Sequence, residues 1–356
     1  MKKILIIGGG VIGLSIAYEI SKNNRFKVLL VEKNKNFGLE ASSKNSEVIH
    51  SGVYYKNNSL KANLCVQGKK MIYGFCKKNK ISFKNTQKLF IGNSLQDYKL
   101  IKQMYKNAKK NDVNDVKIIA ERTLKKIEPN IKAKHALLSK SAGIFDVNDF
   151  MRKLFTLCKK NGVKFIYNKK ISYGYFENQK IYFSNIKKQK FDYVINAAGV
   201  GAIGIAEKSF KNTVFPSDKL VTGLYFKTRE NLKIRRIIYP AMKPEKNTER
   251  VDITPTINNE YIFGPSVEKK GKINLRNSKL KFAKFLKQIN SKLDTKKIKY
   301  FKKGIRPKIK TNSKSYTDFY IKKVDKYNWI NLFGMESPGL TSCLAIAKYV
   351  KRNFLR

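Results

Sequence analysis

Two stretches of this 356-residue chain combine residue types in ways that can do chemistry. The first is "GGGVIG", which sets Gly8, Gly10 and Gly13 in a G-x-G-x-x-G pattern, with Glu32 closing the next apolar run. Glycines so spaced permit a tight turn (Gly8), close backbone approach to a pyrophosphate (Gly10) and tight helix–strand packing (Gly13). An acid at the end of the following strand accepts hydrogen bonds from ribose hydroxyls and repels a 2′-phosphate, which argues against NADP. The second stretch is "KNSEVIHSGVYY", Lys44–Tyr55, which holds His50, one of only two histidines. An imidazole with an ordinary pKa of about 6.5 can accept a proton near neutrality. Its one competitor, His135, lies in a lysine-rich stretch without a motif.

The elements that must position these residues are legible around them. "ILII" (4–7) is a fully apolar run suited to a buried parallel strand. Ile12, Ile16 and Ile20 follow at helical spacing, and "FKVLLVEK" predicts the second strand. The helix between them points its N-terminus at the phosphate charge. Further on, "FDYVINAAGVGAIG" offers Gly199, Gly201 and Gly204 after a strand, but the polar, proline-broken "KSFKNTVFPSDK" follows instead of an acid-ended strand. Residues 191–199 therefore predict a strand of the first domain ending near the bound nucleotide, its glycines serving close packing. One dinucleotide is expected. In "MESPGLTSCLAIAKYV", Ser337 is the expected N-cap and Pro338 the first helical residue, leaving N–H groups around Gly339, Leu340 and Thr341. Residues 95–113 predict a charged amphipathic helix. "VTGLYF", "RIIYPAM" and "EYIFGPSV" predict short strands within 214–268.

The totals bound the function. The length suits two domains. With 42% hydrophobic residues, 22 Phe and 19 Tyr, the chain can bury a large core. A formal charge of +51 invites a nucleic-acid reading, yet the lysines are spread over almost every segment. That spread predicts a solvated basic surface, no specific nucleic-acid partner and weak peripheral attraction to anionic membranes. Cys65, Cys76, Cys158 and Cys343 form no CxxC pair, and two histidines supply no metal site. Reduced thiols and a cytoplasmic location, peripheral at the inner face of the cell membrane, are the expectation. The first seventeen residues imitate a signal peptide, but glycines interrupt their apolar run. No segment reaches the roughly 18 apolar residues of a membrane span.

Longer motifs carry a resemblance. "IIGGGVIGLSIAYE", "VEK", "NSEVIHSGVYYKNNSLKANLCVQG", "GIFD", "VINAAG", "GIRPKI" and "NLFGMESPGLTSCLAIAKYV" cover nearly the whole chain. Together they resemble the FAD-dependent oxidoreductases of the D-amino-acid oxidase superfamily, most closely the L-2-hydroxyglutarate dehydrogenase/oxidase branch. The resemblance implies an α/β fold: a discontinuous, Rossmann-like FAD-binding domain (1–85, 145–213 and 300–356) with a mixed-sheet α+β substrate domain (86–144 and 214–299). It implies FAD as cofactor and oxidation of a small 2-hydroxy acid to the 2-oxo acid by hydride transfer to flavin. A quinone or O2 would take the electrons onward. It implies that "EASSKNSEVIHSGVYY" crosses the FAD pyrophosphate, where Ser42, Ser43 and Asn45 suit phosphate or ribose contacts.

His50 then reads either as the base for the substrate hydroxyl or as a residue ordering the loop, with Tyr54 and Tyr55 either adding hydroxyl contacts or belonging to the core. Arg306 in "GIRPKI" would hold the substrate carboxylate, because guanidinium matches carboxylate bidentately. Gly199 would lie near the nucleotide, and the helix start at Gly339, Leu340 and Thr341 would face the flavin pyrimidine. The sequence departs from the branch at Asp252, where a histidine is common, and at Lys44, where the close branch often has histidine. Asp252 near the substrate would oppose an anionic group and reads either as a base or as a binder of a polar substrate. An amino acid or a glycerol-3-phosphate-like alcohol stays open as substrate, as does a different class, an RNA-acting flavoprotein with its charge gathered on one aromatic-bearing face.

Overall fold

The structure, a computed structural model, describes residues 1–177, 180–183, 185–186, 189–241, 251–268, 273–291, 293–324 and 326–355. Contacts divide the chain into two units: Met1–Ser43, Val147–Leu220 and Ile305–Arg356 form the first, Lys44–Asp146 and Val221–Gly304 the second.

The first unit is built on a six-stranded sheet in the order Tyr320–Lys323, Trp329–Phe333, Tyr193–Asn196, Lys2–Ile7, Phe26–Val31, Lys164–Ile166. All neighbours are parallel except the antiparallel edge strand Tyr320–Lys323. The central strands are apolar because both faces are covered. Leu5, Ile7, Leu29, Val31 and Val194 pack with Trp329 in one core. Helix Val11–Ser21 packs against helices Val147–Lys160 and Gly339–Phe354. Between strands, Asn196 donates to Asn331 Oδ1 at 2.9 Å and Trp329 Nε1 donates to the same oxygen at 2.8 Å.

The second unit carries an eight-stranded mixed sheet: Lys299–Arg306, Val221–Thr228, Tyr261–Phe263, Ile253–Pro255, Ile237–Pro240, Lys88–Gly92, His135–Ser139, Val116–Ala120. Ile237–Pro240 runs parallel to Lys88–Gly92, while Lys88–Gly92 and His135–Ser139 are antiparallel. Alternation along the strands separates two cores. Leu89, Ile91, Ile238, Ile253 and Phe263 face Phe282, Leu286 and Ile289 of helix Leu275–Ile289. Phe90, Leu137, Ile237 and Tyr239 pack with Ile101, Met104 and Ala108 of helix Leu95–Lys110. That helix begins with a capping box: Ser94 Oγ accepts from the Asp97 amide at 3.1 Å and Asp97 Oδ2 from the Ser94 amide at 2.9 Å.

The units depart from the expected division in one large segment. Residues 44–85, assigned from sequence to the FAD domain, pack with the second unit. The reason is polar stitching as well as apolar contact. Asn107 of helix Leu95–Lys110 and its C-cap Asn111 donate to the carbonyls of Gly52, Val53 and Tyr55 at 2.7–3.1 Å, and Ser139 Oγ donates to Ser51 Oγ at 2.7 Å. The expected strands "VTGLYF", "RIIYPAM" and "EYIFGPSV" correspond to Val221–Thr228, Ile237–Pro240 and Tyr261–Phe263. Met242 of the second lies outside the described residues.

Candidate active site

In the first unit the glycine turn has the shape that its sequence demands. Gly8 adopts φ +104°, and a Cβ there would stand 2.5 Å from the Ala197 carbonyl oxygen. A Cβ on Gly13 would collide with the Gly8 carbonyl oxygen, so the helix passes flush against the turn. Gly10 is the N-cap of helix Val11–Ser21 and supplies no side chain. Ser42 comes in from the 3₁₀ turn Ala41–Ser43, and its Oγ accepts the Val11 amide at 2.9 Å. The helix start therefore has a hydroxyl on its first amide and no side chain at its N-cap, which lets a pyrophosphate approach the backbone at Gly10. Glu32, buried at 7% exposure, accepts from the Gly9 amide at 2.7 Å through Oε2 and from the Asn34 amide and side chain at 2.8 Å through Oε1. Its carboxylate is thereby locked in place, with one lone-pair site on Oε2 remaining for a ribose hydroxyl. A cradle that a Cβ would fill, a helix start and a fixed buried acid together fit an adenine dinucleotide.

Other expected contacts occupy different roles. Ser43 Oγ donates to the Glu40 carbonyl at 3.2 Å, and Asn45 Oδ1 accepts the Glu47 amide at 2.9 Å, so both side chains shape their own turns. Gly199, at φ +57°, starts the 3₁₀ turn that follows strand Tyr193–Asn196. The close-packing role expected for Gly199, Gly201 and Gly204 is corrected: a Cβ on any of the three would meet nothing within 4 Å. The last helix is corrected as well. It starts at Gly339 with Pro338 as N-cap and no side-chain cap, because the Ser342 amide bonds the Pro338 carbonyl at 2.9 Å. Ser337 is therefore outside the helix. Thr341 is buried within its first turn. Arg306 is half-buried at the end of strand Lys299–Arg306. Two residues before it, a Cβ on Gly304 would lie 2.5 Å from the Lys44 carbonyl oxygen, which explains the glycine of "GIRPKI".

In the second unit His50 is the centre of a cluster. Its Nδ1 lies 3.4 Å from Lys88 Nζ, and its ring stands edge-on to Tyr54, Tyr55 and Tyr239 at centroid distances of 6.4–6.5 Å. Lys88 is 1% exposed, and its Nζ sits 3.8 Å from the Tyr239 ring centroid. Tyr55 is buried beside Tyr54, their centroids 4.8 Å apart. Cys65 Sγ donates to the His50 carbonyl at 3.5 Å; burial pushes this thiol up to about 12, against the pull of Lys69 and Lys88, so it stays protonated. Asp252, 1% exposed, precedes strand Ile253–Pro255. Because Ile253 opposes Ile238, Asp252 opposes Tyr239 and shares its sheet face. His135 lies elsewhere, its ring against Tyr98 at 4.5 Å.

Sequence reasoning missed Lys88 and Tyr239. Lys88 opens the apolar strand "KLFIG", but one lysine among 76 Lys and Arg gives no signal of burial. Tyr239 reads from sequence as strand and not as site. Among the described residues no group of three or more His, Cys, Asp or Glu is placed to hold a metal ion.

A family profile described as "FAD dependent oxidoreductase" matches residues 3–352. The chain belongs to that family. This flavoprotein is 30% identical to the mitochondrial L-2-hydroxyglutarate dehydrogenase of Arabidopsis thaliana, over 99% of this chain and 83% of that protein. It is also 30% identical to a glycerol 3-phosphate dehydrogenase of Caloramator mitchellensis, over 98% and 73% respectively. Among solved structures, the FAD-bound, dithionite-reduced L-alpha-glycerophosphate oxidase of Mycoplasma pneumoniae shares its fold, with a TM-score of 0.87 at 22% identity over 99% of this chain and 94% of that one. The protein is thus an FAD-dependent oxidoreductase with a Rossmann-like FAD domain and a mixed-sheet second domain.

Proposed function

We propose that the flavoprotein oxidises a small 2-hydroxy acid, of the L-2-hydroxyglutarate kind, to the 2-oxo acid. The observation that carries this reading is the imidazole of His50 set 3.4 Å from the buried Lys88 amid three tyrosines. Two nitrogens that can exchange a proton stand together, as removal of a hydroxyl proton requires. Similarity to the L-2-hydroxyglutarate dehydrogenase of Arabidopsis thaliana along 99% of the chain supports the choice of substrate. FAD, when bound, supplies the hydride acceptor. The Gly8–Gly13 turn and the start of helix Val11–Ser21 would hold its pyrophosphate, Glu32 its ribose, and the backbone at Gly339–Thr341 would place positive partial charge by its ring, a contribution of about 0.3–1 kcal/mol. Arg306 would fix the substrate carboxylate, His50 would take the hydroxyl proton at Nε2, and Tyr55 and Asp252 would orient the remainder. A quinone or O2 would accept the electrons in turn.

The relative from Caloramator mitchellensis favours a second reading, oxidation of a glycerol-3-phosphate-like alcohol. Purified protein mixed anaerobically with L-2-hydroxyglutarate, glycerol 3-phosphate and glycine separates the two. The hydroxy acid should bleach the oxidised-flavin band; bleaching by glycerol 3-phosphate alone would replace the first reading by the second.

A further inference from the structure

The geometry of His50 and Lys88 constrains what each must be if His50 removes a proton, and this inference rests on that reading of His50. An imidazole that accepts at Nε2 carries its own proton on Nδ1. Nδ1 faces Lys88 Nζ at 3.4 Å. An ammonium has donors only, so it would set hydrogen against hydrogen; an amine there accepts. We propose that Lys88 is the neutral amine of a His50–Lys88 proton relay. The substrate O–H bond breaks as Nε2–H forms, and the Nδ1–H bond breaks as the proton joins Nζ. The electron pair of the broken O–H bond becomes the second bond of the product carbonyl as the Cα–H bond breaks and its hydride passes to the acceptor that FAD would supply when bound. The imidazole is neutral before and after the step, and the positive charge ends on Lys88.

The surroundings of Lys88 suit both of its states. At 1% exposure, desolvation opposes the ammonium before the reaction. Once formed, the ammonium meets the face of Tyr239 at 3.8 Å and the Phe90 ring at 5.6 Å, a cation–π setting. Titratable groups surround the pair on several packed elements. Helix Leu60–Lys78 brings Cys65, a neutral thiol, and Lys69, whose pKa burial lowers and whose Nζ lies 2.5 Å from Ser141 Oγ. The His50 loop brings Tyr54 and Tyr55. The sheet brings Tyr239 and, on the same face, Asp252.

A lysine kept only for packing or constant charge makes different predictions from a relay. With only two histidines in the chain, 15N-histidine labelling reads the tautomer of His50 directly in the holoprotein. At the pH of maximal turnover the proton should sit on Nδ1, moving to Nε2 as the pH falls and Lys88 charges; a proton on Nε2 at every pH overturns the relay. Lys88→Arg, charged throughout, should hold the Nε2–H tautomer and lower kcat about 100-fold with KM changed less than about threefold. Full activity in the Arg variant would show that constant charge suffices and would also overturn the proposal. Should that variant not fold, the wild-type tautomer still decides. If no hydroxy acid reduces the flavin while the proton lies on Nδ1, the substrate reading falls and the resting state of the relay stands.

Discussion

At the scale of single residues, the cofactor cradle and the second-unit cluster were legible to different degrees. Gly13 was readable because only a missing side chain lets the helix pass the Gly8 carbonyl. Gly13→Ala should therefore yield protein with little or no bound flavin, measured as flavin per chain after purification; a fully loaded variant would remove the steric account. Ser42 was expected at phosphate or ribose; its hydroxyl accepts the Val11 amide, a partner that no one-dimensional pattern specifies. Arg306 ends strand Lys299–Arg306 half-buried, and a lysine in its place would lose the planar fork that grips a carboxylate. Arg306→Lys should raise KM for the acid at least tenfold (about 1.4 kcal/mol) while kcat moves less. Unchanged steady-state kinetics would take Arg306 out of the carboxylate role. Lys88 was hidden for a physical reason: burial is a property of the sheet, and a lysine carries no mark of it.

At the scale of elements, strands and helices followed hydrophobic period closely, and the errors fell at their ends. The last helix was expected to begin at Pro338 under a Ser337 cap, but the first accepting carbonyl is that of Pro338 itself. Caps depend on local backbone path, which composition does not encode. Where a cap is present its worth can be measured. Ser94→Ala removes the acceptor for the Asp97 amide and should cost about 1 kcal/mol in chemical denaturation. An unchanged midpoint would deny the capping box any role in stability. Strand Lys299–Arg306 offers a pH test. Burial holds Lys302 down to about 8, against Glu47, with Lys44 and Lys227 pressing the same way as burial. A depressed pKa means that the folded state sheds a proton the unfolded chain keeps. Its contribution is complete above the ordinary lysine value of 10.5 and lost as pH falls through about 8. Lys302→Met should therefore flatten the stability curve across that window, read from denaturation midpoints at successive pH values.

At the scale of the whole molecule, contacts divide the chain into two units, and residues 44–85 pack with the second. Their allegiance is decided by Asn107 and Asn111 reaching back across the sequence to the carbonyls of Gly52, Val53 and Tyr55, contacts with no local signature. The formal charge of +51 belongs to the molecule rather than to any site. No described helix is long and apolar enough to cross a membrane. Vesicles rich in anionic lipid should carry the protein on flotation at low salt and release it at high salt, whereas neutral vesicles should not. Retention at high salt would point to apolar insertion instead. Lys88 and Leu89 are consecutive, yet one looks toward His50 and the other toward the opposite core. Loss of a single residue from the short turn 85–87 would rotate the strand's two sides and deliver a leucine to the imidazole. Descendants of this chain can thus trade the amine for other groups one codon at a time, but they cannot change the length of the path leading to it.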